Sequence, residues 1–368
     1  MTRETVLEID LKALEHNFNY LKSKLHPQVK FMPVVKAFAY GSDSVAVSKK
    51  LEELGADYLA VAYTKEGIRL RENGITKPIL VLHPQSTNFE EIAKYNLTPS
   101  LYSEFVIRAF LEDAQRLNLK NYPIHLKFNT GLNRLGLTLT EIDLVADLLQ
   151  NQTYLKIEGA FSHLAASEDV EEKPFTQHQI EHFQKVKKSL EAKFQNHKIL
   201  FHLCNTSGIL NYPEAHFDLV RSGIGLYGFG NSVKEDQNLI PISTLKTIIS
   251  QIHHLKKGES LGYNRQFTAQ KDTKTATLPI GHADGINRIY GKGKCSVLIN
   301  GKEALIVGNV CMDMIMVDIT GIDCQEGDEV ILFGKNRSAE NFAKSAGTIS
   351  YELVTSVSQR VNRKIINS

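Results

Sequence analysis

Hydrophobic and polar positions along the chain switch between two periods. Residues 5–9 alternate as a strand. Leu11, Leu14, Phe18 and Leu21 then recur at helical spacing behind Asp10, a residue suited to cap a helix. Residues 31–35 form a short apolar run, closed soon after by Gly41, as expected of a strand covered on both faces. That unit then repeats. Apolar runs at 58–61, 79–82, 98–101, 124–128, 155–161, 199–203 and 217–220 predict strands. Amphipathic segments at 45–54, 66–71, 89–95, 103–117, 139–149 and 175–194 predict the helices between them. With the first strand set aside, about eight β units alternate with helices over roughly the first 230 residues, which suits a (β/α)8 barrel.

From about Pro241 the texture changes. Short strands are predicted at 248–254, 275–279, 295–299, 303–306, 314–319 and 329–332, between glycine-containing turns. Helix signals remain only at 339–346 and near Ser350. The expected class is therefore α/β plus β: a TIM-like (β/α)8 barrel over residues 1–235 and a mostly-β domain over residues 236–368.

The polar residues that interrupt the apolar runs carry the candidate chemistry. Lys36 and Tyr40 follow the first barrel strand. Lys127 ends another, with Asn129 and Arg134 in the loop behind it. His163 follows Phe161. Asn205, Thr206 and Ser207 follow Leu203, and Arg221 and Gly223 follow Val220. All fall at strand C-termini, the face where barrels carry their active sites. A lysine at that opening is poorly hydrated, so its pKa falls and its amine can form a Schiff base.

Other motifs have plainer readings. Gly223-Ile-Gly225-Leu-Tyr-Gly228 matches a dinucleotide fingerprint, but no βαβ unit surrounds it; its backbone N–H groups after Arg221 remain suited to a phosphate. His178-Gln-Ile-Glu181-His182 matches an inverted zinc-protease pattern, yet the apolar stripe of that helix is Ile180, Phe183, Val186 and Leu190. Both histidines therefore belong to a solvated face. His253 and His254 point to opposite faces of a strand. No metal site is expected. Alone, Cys311-Met312-Asp313 reads as a packed turn and Tyr263 as a packing tyrosine.

Charge and cysteine usage narrow the classes further. The 368 residues carry 43 Lys+Arg against 41 Asp+Glu, a net charge of +2, which argues against nucleic-acid or membrane binding driven by charge. No stretch approaches a membrane span and the first residues form no apolar leader, so a cytoplasmic protein is expected. Four dispersed cysteines without C-x-x-C predict reduced thiols.

Taken together, these motifs have a familiar order. Val34-Val35-Lys36-Ala37-Phe38-Ala39-Tyr40-Gly41 resembles the pyridoxal-phosphate lysine motif of alanine racemases, and the later clusters resemble that family's across nearly the whole chain. The resemblance implies a fold-type III enzyme, with pyridoxal 5'-phosphate as cofactor, a small amino acid as substrate and a head-to-tail homodimer with shared sites. It makes Lys36 the cofactor-bearing lysine and Tyr263 of the partner subunit a second catalytic base. It assigns Tyr40, Thr206, Gly223, Ile224 and Tyr351 to the phosphate, with Asn205 beside them. Arg134 falls to the cofactor's phenolic oxygen and the substrate. His163 and Arg221 become ring neighbours of the cofactor, and Met312 a backbone ligand of the substrate carboxylate. Lys127, a position often carbamylated in the family, takes a supporting role, as do Cys311 and Asp313. The chain departs from the family at Phe38, at Ser42-Asp43, at Asn129, at His282 and at Asn309. The implied function is interconversion of L- and D-alanine by two bases, supplying D-alanine for peptidoglycan. Three alternatives stay open: a serine or broad-specificity racemase of the same fold, a non-catalytic cofactor-binding homeostasis protein, and a basic-amino-acid decarboxylase.

Overall fold

The computed structural model describes residues 4–195, 197–334 and 337–367, and the chain divides into two compact units. The first holds eight parallel strands: β2 (Lys30–Pro33), β3 (Leu59–Val61), β4 (Ile79–Val81), β5 (Thr98–Leu101), β6 (Tyr122–Lys127), β7 (Leu155–Phe161), β8 (Leu200–His202) and β9 (Leu219–Ser222). They follow the order β2-β9-β8-β7-β6-β5-β4-β3. The seam between β2 and β3 is closed by a Val34–Ala60 bridge, with the Val35 N–H donating to the Ala60 carbonyl at 2.8 Å. β2 ends at Pro33, two residues before the end of the predicted run, and the chain goes on pairing singly: the Val34 N–H donates to the Ser222 carbonyl before Val35 turns to Ala60.

The helices between strands follow the apolar periodicity. In Lys173–Lys193 the buried residues include Ile180, Phe183, Val186 and Leu190, and His178 and His182 lie off that stripe. Ser103 caps Glu104–Arg116 by accepting from the Val106 N–H. Thr138 and Glu141 close a reciprocal capping box at the start of the next helical segment. The glycine-rich stretch after β9 forms only the short turn Ile224–Tyr227, ended by Gly228 in the left-handed region (φ 91°); it opens no dinucleotide-type helix.

The second unit is built on a nine-stranded sheet. Its strands are β1 (Val6–Asp10), β10 (Ser243–Ile248), β11 (Gln251–Leu255), β14 (Thr273–Leu278), β15 (Ser296–Ile299), β16 (Lys302–Val307), β17 (Ile315–Asp318), β18 (Glu329–Phe333) and β19 (Asn362–Ile366). A two-strand ribbon, β12 (Ser260–Leu261) and β13 (Phe267–Thr268), projects between β11 and β14 in sequence.

Three features differ from the expectation. β1 pairs with β10 and β19, so the start of the chain up to Leu14 belongs to this unit although it precedes the barrel. Residues 248–254 form no single strand: the chain breaks at Ile249 and Ser250, whose N–H groups donate to Asp328 and Thr277 as it changes sheet partner. β19 escapes the apolar-run criterion because it is an edge strand rich in polar residues, which protects its open side.

Candidate functional site

Lys36 opens a rare backbone feature. Ala37, Phe38, Ala39 and Tyr40 all lie in the left-handed region, with φ of 51°, 56°, 54° and 53°. Each such residue costs about 1–2 kcal/mol without a glycine. Hydrogen bonds offset part of that cost: Glu66 accepts from the Ala37 N–H at 2.6 Å with one carboxylate oxygen and from the Ala62 and Tyr63 N–H groups with the other. Glu66 was not legible as a site residue; its signal is only its place in the helix Thr64–Glu72 beside the seam. Burial, and then the Arg134 cation, lower the pKa of Lys36, while Glu66 opposes the shift.

Lys127 ends β6, deeply buried. Burial and the cations Arg134, Arg221 and Lys36 push its ammonium down to about 8. The loop behind it is pinned by Asn129, whose side-chain amide oxygen accepts from the Gly131 and Asn133 N–H groups and whose backbone N–H donates to the Leu137 carbonyl, while the Leu137 N–H donates to the Lys127 carbonyl. Arg134 rides on that loop and is exposed.

Arg221, on β9, is buried and its pKa is lowered to about 10 by that burial. Nη1 donates to His202 Nδ1 and to the His202 carbonyl. Nη2 donates to the Ser162 carbonyl at 2.7 Å, to Leu203 at 3.1 Å and to His163 Nδ1 at 3.3 Å. Among the described residues its Nε–H has no protein acceptor. Burial of the ring and the Arg221 cation hold His163 well below the usual histidine range. It is therefore a neutral imidazole that accepts at Nδ1 and presents Nε2–H.

Thr206 shares a hydrogen bond with Ser222 Oγ at 3.0 Å and accepts from the Gly225 N–H at 3.3 Å. A Cβ at position 225 would stand 2.5 Å from the Thr206 methyl, so glycine permits this close approach. The N–H groups of Gly223 and Ile224 donate to no protein acceptor among the described residues. Asn205 is committed elsewhere: its carbonyl oxygen caps the helix Thr206–Asn211 through the Gly208 N–H and accepts from Ser167 Oγ.

The remaining candidates lie in the second unit. Tyr40 is buried there with its ring 6.2 Å from that of Tyr351, and burial raises its pKa. Tyr263 sits in the turn of the β12–β13 ribbon, 74 % exposed, between Gly262 (φ 72°) and Asn264 (φ 57°). Asn309, a departure from the family pattern, donates its amide to the Tyr263 carbonyl at 3.1 Å. The turn of Cys311, Met312 and Asp313 closes through the Cys311 N–H to the Met314 carbonyl. A second turn clamps it: the His282 and Ala283 N–H groups donate to the Cys311 and Met312 carbonyls, and a Cβ on Gly281 would meet the Met312 oxygen at 2.3 Å. Arg360 ties Asp284 to Asp313, at 2.6 Å from each. Met312 is 59 % exposed, and its own N–H has no protein acceptor among the described residues. Phe38, another departure, lies under the Arg69 guanidinium at 5.3 Å.

These groups fit pyridoxal phosphate: an amine of lowered pKa, a buried guanidinium with one uncommitted donor for the ring nitrogen, and a hydroxyl with free backbone N–H groups for the phosphate. Among the described residues no group of side chains could hold a metal ion, and no helix is long and apolar enough to cross a membrane.

Comparison with known proteins agrees with this chemistry. The model for the N-terminal domain of alanine racemase matches residues 9–230, and that for the C-terminal domain matches residues 242–365. An alanine racemase of Thermodesulfovibrio yellowstonii is 39 % identical over 374 residues, covering 100 % of this chain and 99 % of that protein. The solved alanine racemase of Clostridium difficile 630 superposes with a TM-score of 0.92 at 37 % identity, over 100 % of this chain and 97 % of its own. An alanine racemase from Bartonella henselae, solved with covalently bound pyridoxal phosphate, gives a TM-score of 0.89 at 28 % identity, over 99 % of this chain and 100 % of its own. Both domains are matched, so a protein resembling the barrel alone is ruled out, and the chain belongs to the alanine racemase family of amino-acid isomerases.

Proposed function

We propose that the chain interconverts L- and D-alanine with pyridoxal 5'-phosphate, in the cytoplasm, and that its D-alanine supplies peptidoglycan assembly. The observation that carries this reading is Arg221: buried, held by five acceptors, and left with a single uncommitted N–H. When bound, pyridoxal phosphate supplies the electron sink that makes the Cα–H of an amino acid acidic. Lys36 would hold the cofactor through Nζ, and its free amine would serve as the base on one face of the substrate. Its lowered pKa favours the neutral amine this role needs. Arg221 cannot give up its proton at working pH, so it donates Nε–H without protonating the ring. Arg221 would thus leave a bound ring the weaker sink, which limits side reactions.

Thr206, Tyr40, Tyr351 and the N–H groups of Gly223 and Ile224 are assigned to the phosphate, and Arg134 to the phenolic oxygen. Met312 and Arg134 bind the substrate carboxylate, the former through its N–H. Tyr263 is the second base. Free tyrosine titrates near ~10, so the tyrosine needs help to ionise; His163, presenting Nε2–H while accepting from Arg221, favours its anion.

Tyr263, Met312 and Met314 form an exposed apolar patch, which a second copy of the chain covers in a head-to-tail dimer. Tyr263 then serves the partner's barrel.

Circular dichroism of L-alanine with enzyme and added pyridoxal phosphate tests the activity. The signal should decay to zero, and that of D-alanine should decay to the same end point. A stable signal from both refutes the reading. Faster decay with serine would move the assignment to the serine or broad-specificity reading, which the departures at Phe38, His282 and Asn309 leave open. Carbon dioxide release from lysine or ornithine would move it to a decarboxylase.

A further inference from the structure

Barrel interiors are ordinarily filled by layers of branched apolar side chains. A line of polar groups crosses this one. His125 and Lys127 are two residues apart on β6 and share its inward face. His125, His202 and Arg221 are all buried. His125 Nδ1 lies 2.9 Å from His202 Nε2, and His202 Nδ1 lies 2.5 Å from Arg221 Nη1. The His202 ring is stacked on Phe161, 4.7 Å between centroids and 8° from parallel. At the far end, His125 Nε2 has no hydrogen-bond partner within 3.5 Å, and the Glu158 carboxylate stands 3.6 Å away. The backbone is built around this line. The β6–β7 register shifts between Ile124 and His125, and a Cβ on Gly159 would stand 2.5 Å from the His125 ring.

The Arg221 end sets every proton along the line, and the Glu158 carboxylate 3.6 Å from the other end matches it by charge. An arginine only donates, so His202 Nδ1 accepts, and its neutral ring carries the proton on Nε2. That proton is donated to His125 Nδ1, so His125 carries its own proton on Nε2, facing a carboxylate that only accepts. Reversing either tautomer sets donor against donor. Burial lowers the pKa of both rings, with the Arg221 cation acting further on His202, which keeps them neutral.

We propose that Glu158 and His125 are positioning residues for Arg221: the carboxylate orients a one-way line through His125 and His202 that holds the guanidinium with its Nε–H left for the cofactor ring. This rests on the reading of Arg221 as the ring partner. Neither Glu158 nor His125 is adjacent in sequence to Arg221, and their link to it runs through side chains of three neighbouring strands, β6, β7 and β8.

The test uses the full chain, labelled with nitrogen-15 histidine and loaded with pyridoxal phosphate. In the wild type, His125 and His202 should both be protonated on Nε2 alone. Glu158→Leu removes the terminal acceptor. It should shift the His202 ring nitrogens and the visible absorbance band of the cofactor, and lower kcat for L-alanine roughly ten- to a hundredfold, the range for loss of a supporting partner, with KM little changed. Glu158→Gln keeps an accepting oxygen and should restore the band and most of the rate. A proton on His202 Nδ1 in the wild type overturns the proposal. So does a folded Glu158→Leu protein with unchanged His202 resonances and an unchanged band. A wild-type chain that takes up no pyridoxal phosphate would refute the functional reading instead, and the His202 tautomer would still decide the line by itself.

Discussion

Lys127 is the residue whose setting most constrains the chemistry. Its amine is deeply buried with Arg134, Arg221 and Lys36 as the charges acting on it, and its pKa falls to about 8. The unfolded value is near ~10.4, so the folded state disfavours the ammonium. The cost to stability is full below about pH 8 and is relieved as pH rises toward the unfolded value. A neutral amine among cations is also suited to react with carbon dioxide, because the carbamate formed, with release of a proton, is an anion that the neighbouring cations attract. In carbonate-free buffer, the melting temperature should rise between pH 8 and pH 10 relative to a Lys127→Met variant. Bicarbonate at pH 8 should raise it for the wild type and leave Lys127→Met unmoved. An equal rise in both proteins would remove Lys127 from the account. Thr206 makes a separable contribution. Its hydroxyl is assigned to a dianion, and a hydrogen bond to a charged group contributes about 1.5–3 kcal/mol. Thr206→Ala should therefore weaken cofactor affinity by roughly ten- to a hundredfold, measured by absorbance titration, while kcat at saturating cofactor changes little. Unchanged affinity would place the phosphate elsewhere.

At the level of elements, the left-handed turn after Lys36 and the ribbon carrying Tyr263 are both strained. Gly41 closes the first at φ 81°, and a Cβ there would stand 2.0 Å from the Val354 carbonyl oxygen. Gly41→Ala should cost more than about 2 kcal/mol, beyond the ordinary glycine-to-alanine effect; a denaturant midpoint within error of the wild type would show that the turn can relax. In the second, Asn309 holds the Tyr263 carbonyl. Asn309→Ala should lower kcat more than it weakens cofactor binding, and an unaltered kcat would show that the turn stands without it. How far such elements could be read beforehand depends on their source of order. The alternation of apolar runs revealed the barrel, because strands covered on both faces carry little else. It also placed Lys36, Lys127, His163, Thr206 and Arg221 at strand ends. β19 was hidden because an edge strand has no apolar face to advertise, and β1 was set aside because its partners lie more than 200 residues away. Four successive left-handed residues after Lys36 have no local signature: Ala-Phe-Ala-Tyr contains no glycine, and what holds the turn, Glu66 for instance, comes from elsewhere in the chain. His125 did leave a trace, since it stands two residues before Lys127 on a strand, but its partner across the interior, His202, is 77 residues away.

For the whole molecule, the proposed function needs a base from the barrel of one subunit and a base from the other unit of its partner. Two-fold symmetry then gives two identical composite sites per dimer. Lys36→Ala and Tyr263→Ala should each be nearly inactive in racemisation, since each lacks one base. The most direct measurement mixes the two variants under conditions of subunit exchange, with mass-tagged chains to confirm that mixed dimers form, and follows L-alanine by circular dichroism. Each mixed dimer would contain one site with both defects and one with neither. Random pairing makes half the dimers mixed, so activity should return to roughly a quarter of the wild type. Confirmed exchange with no return of activity would contradict the shared site, and with it the pairing of Lys36 and Tyr263 on which the account rests.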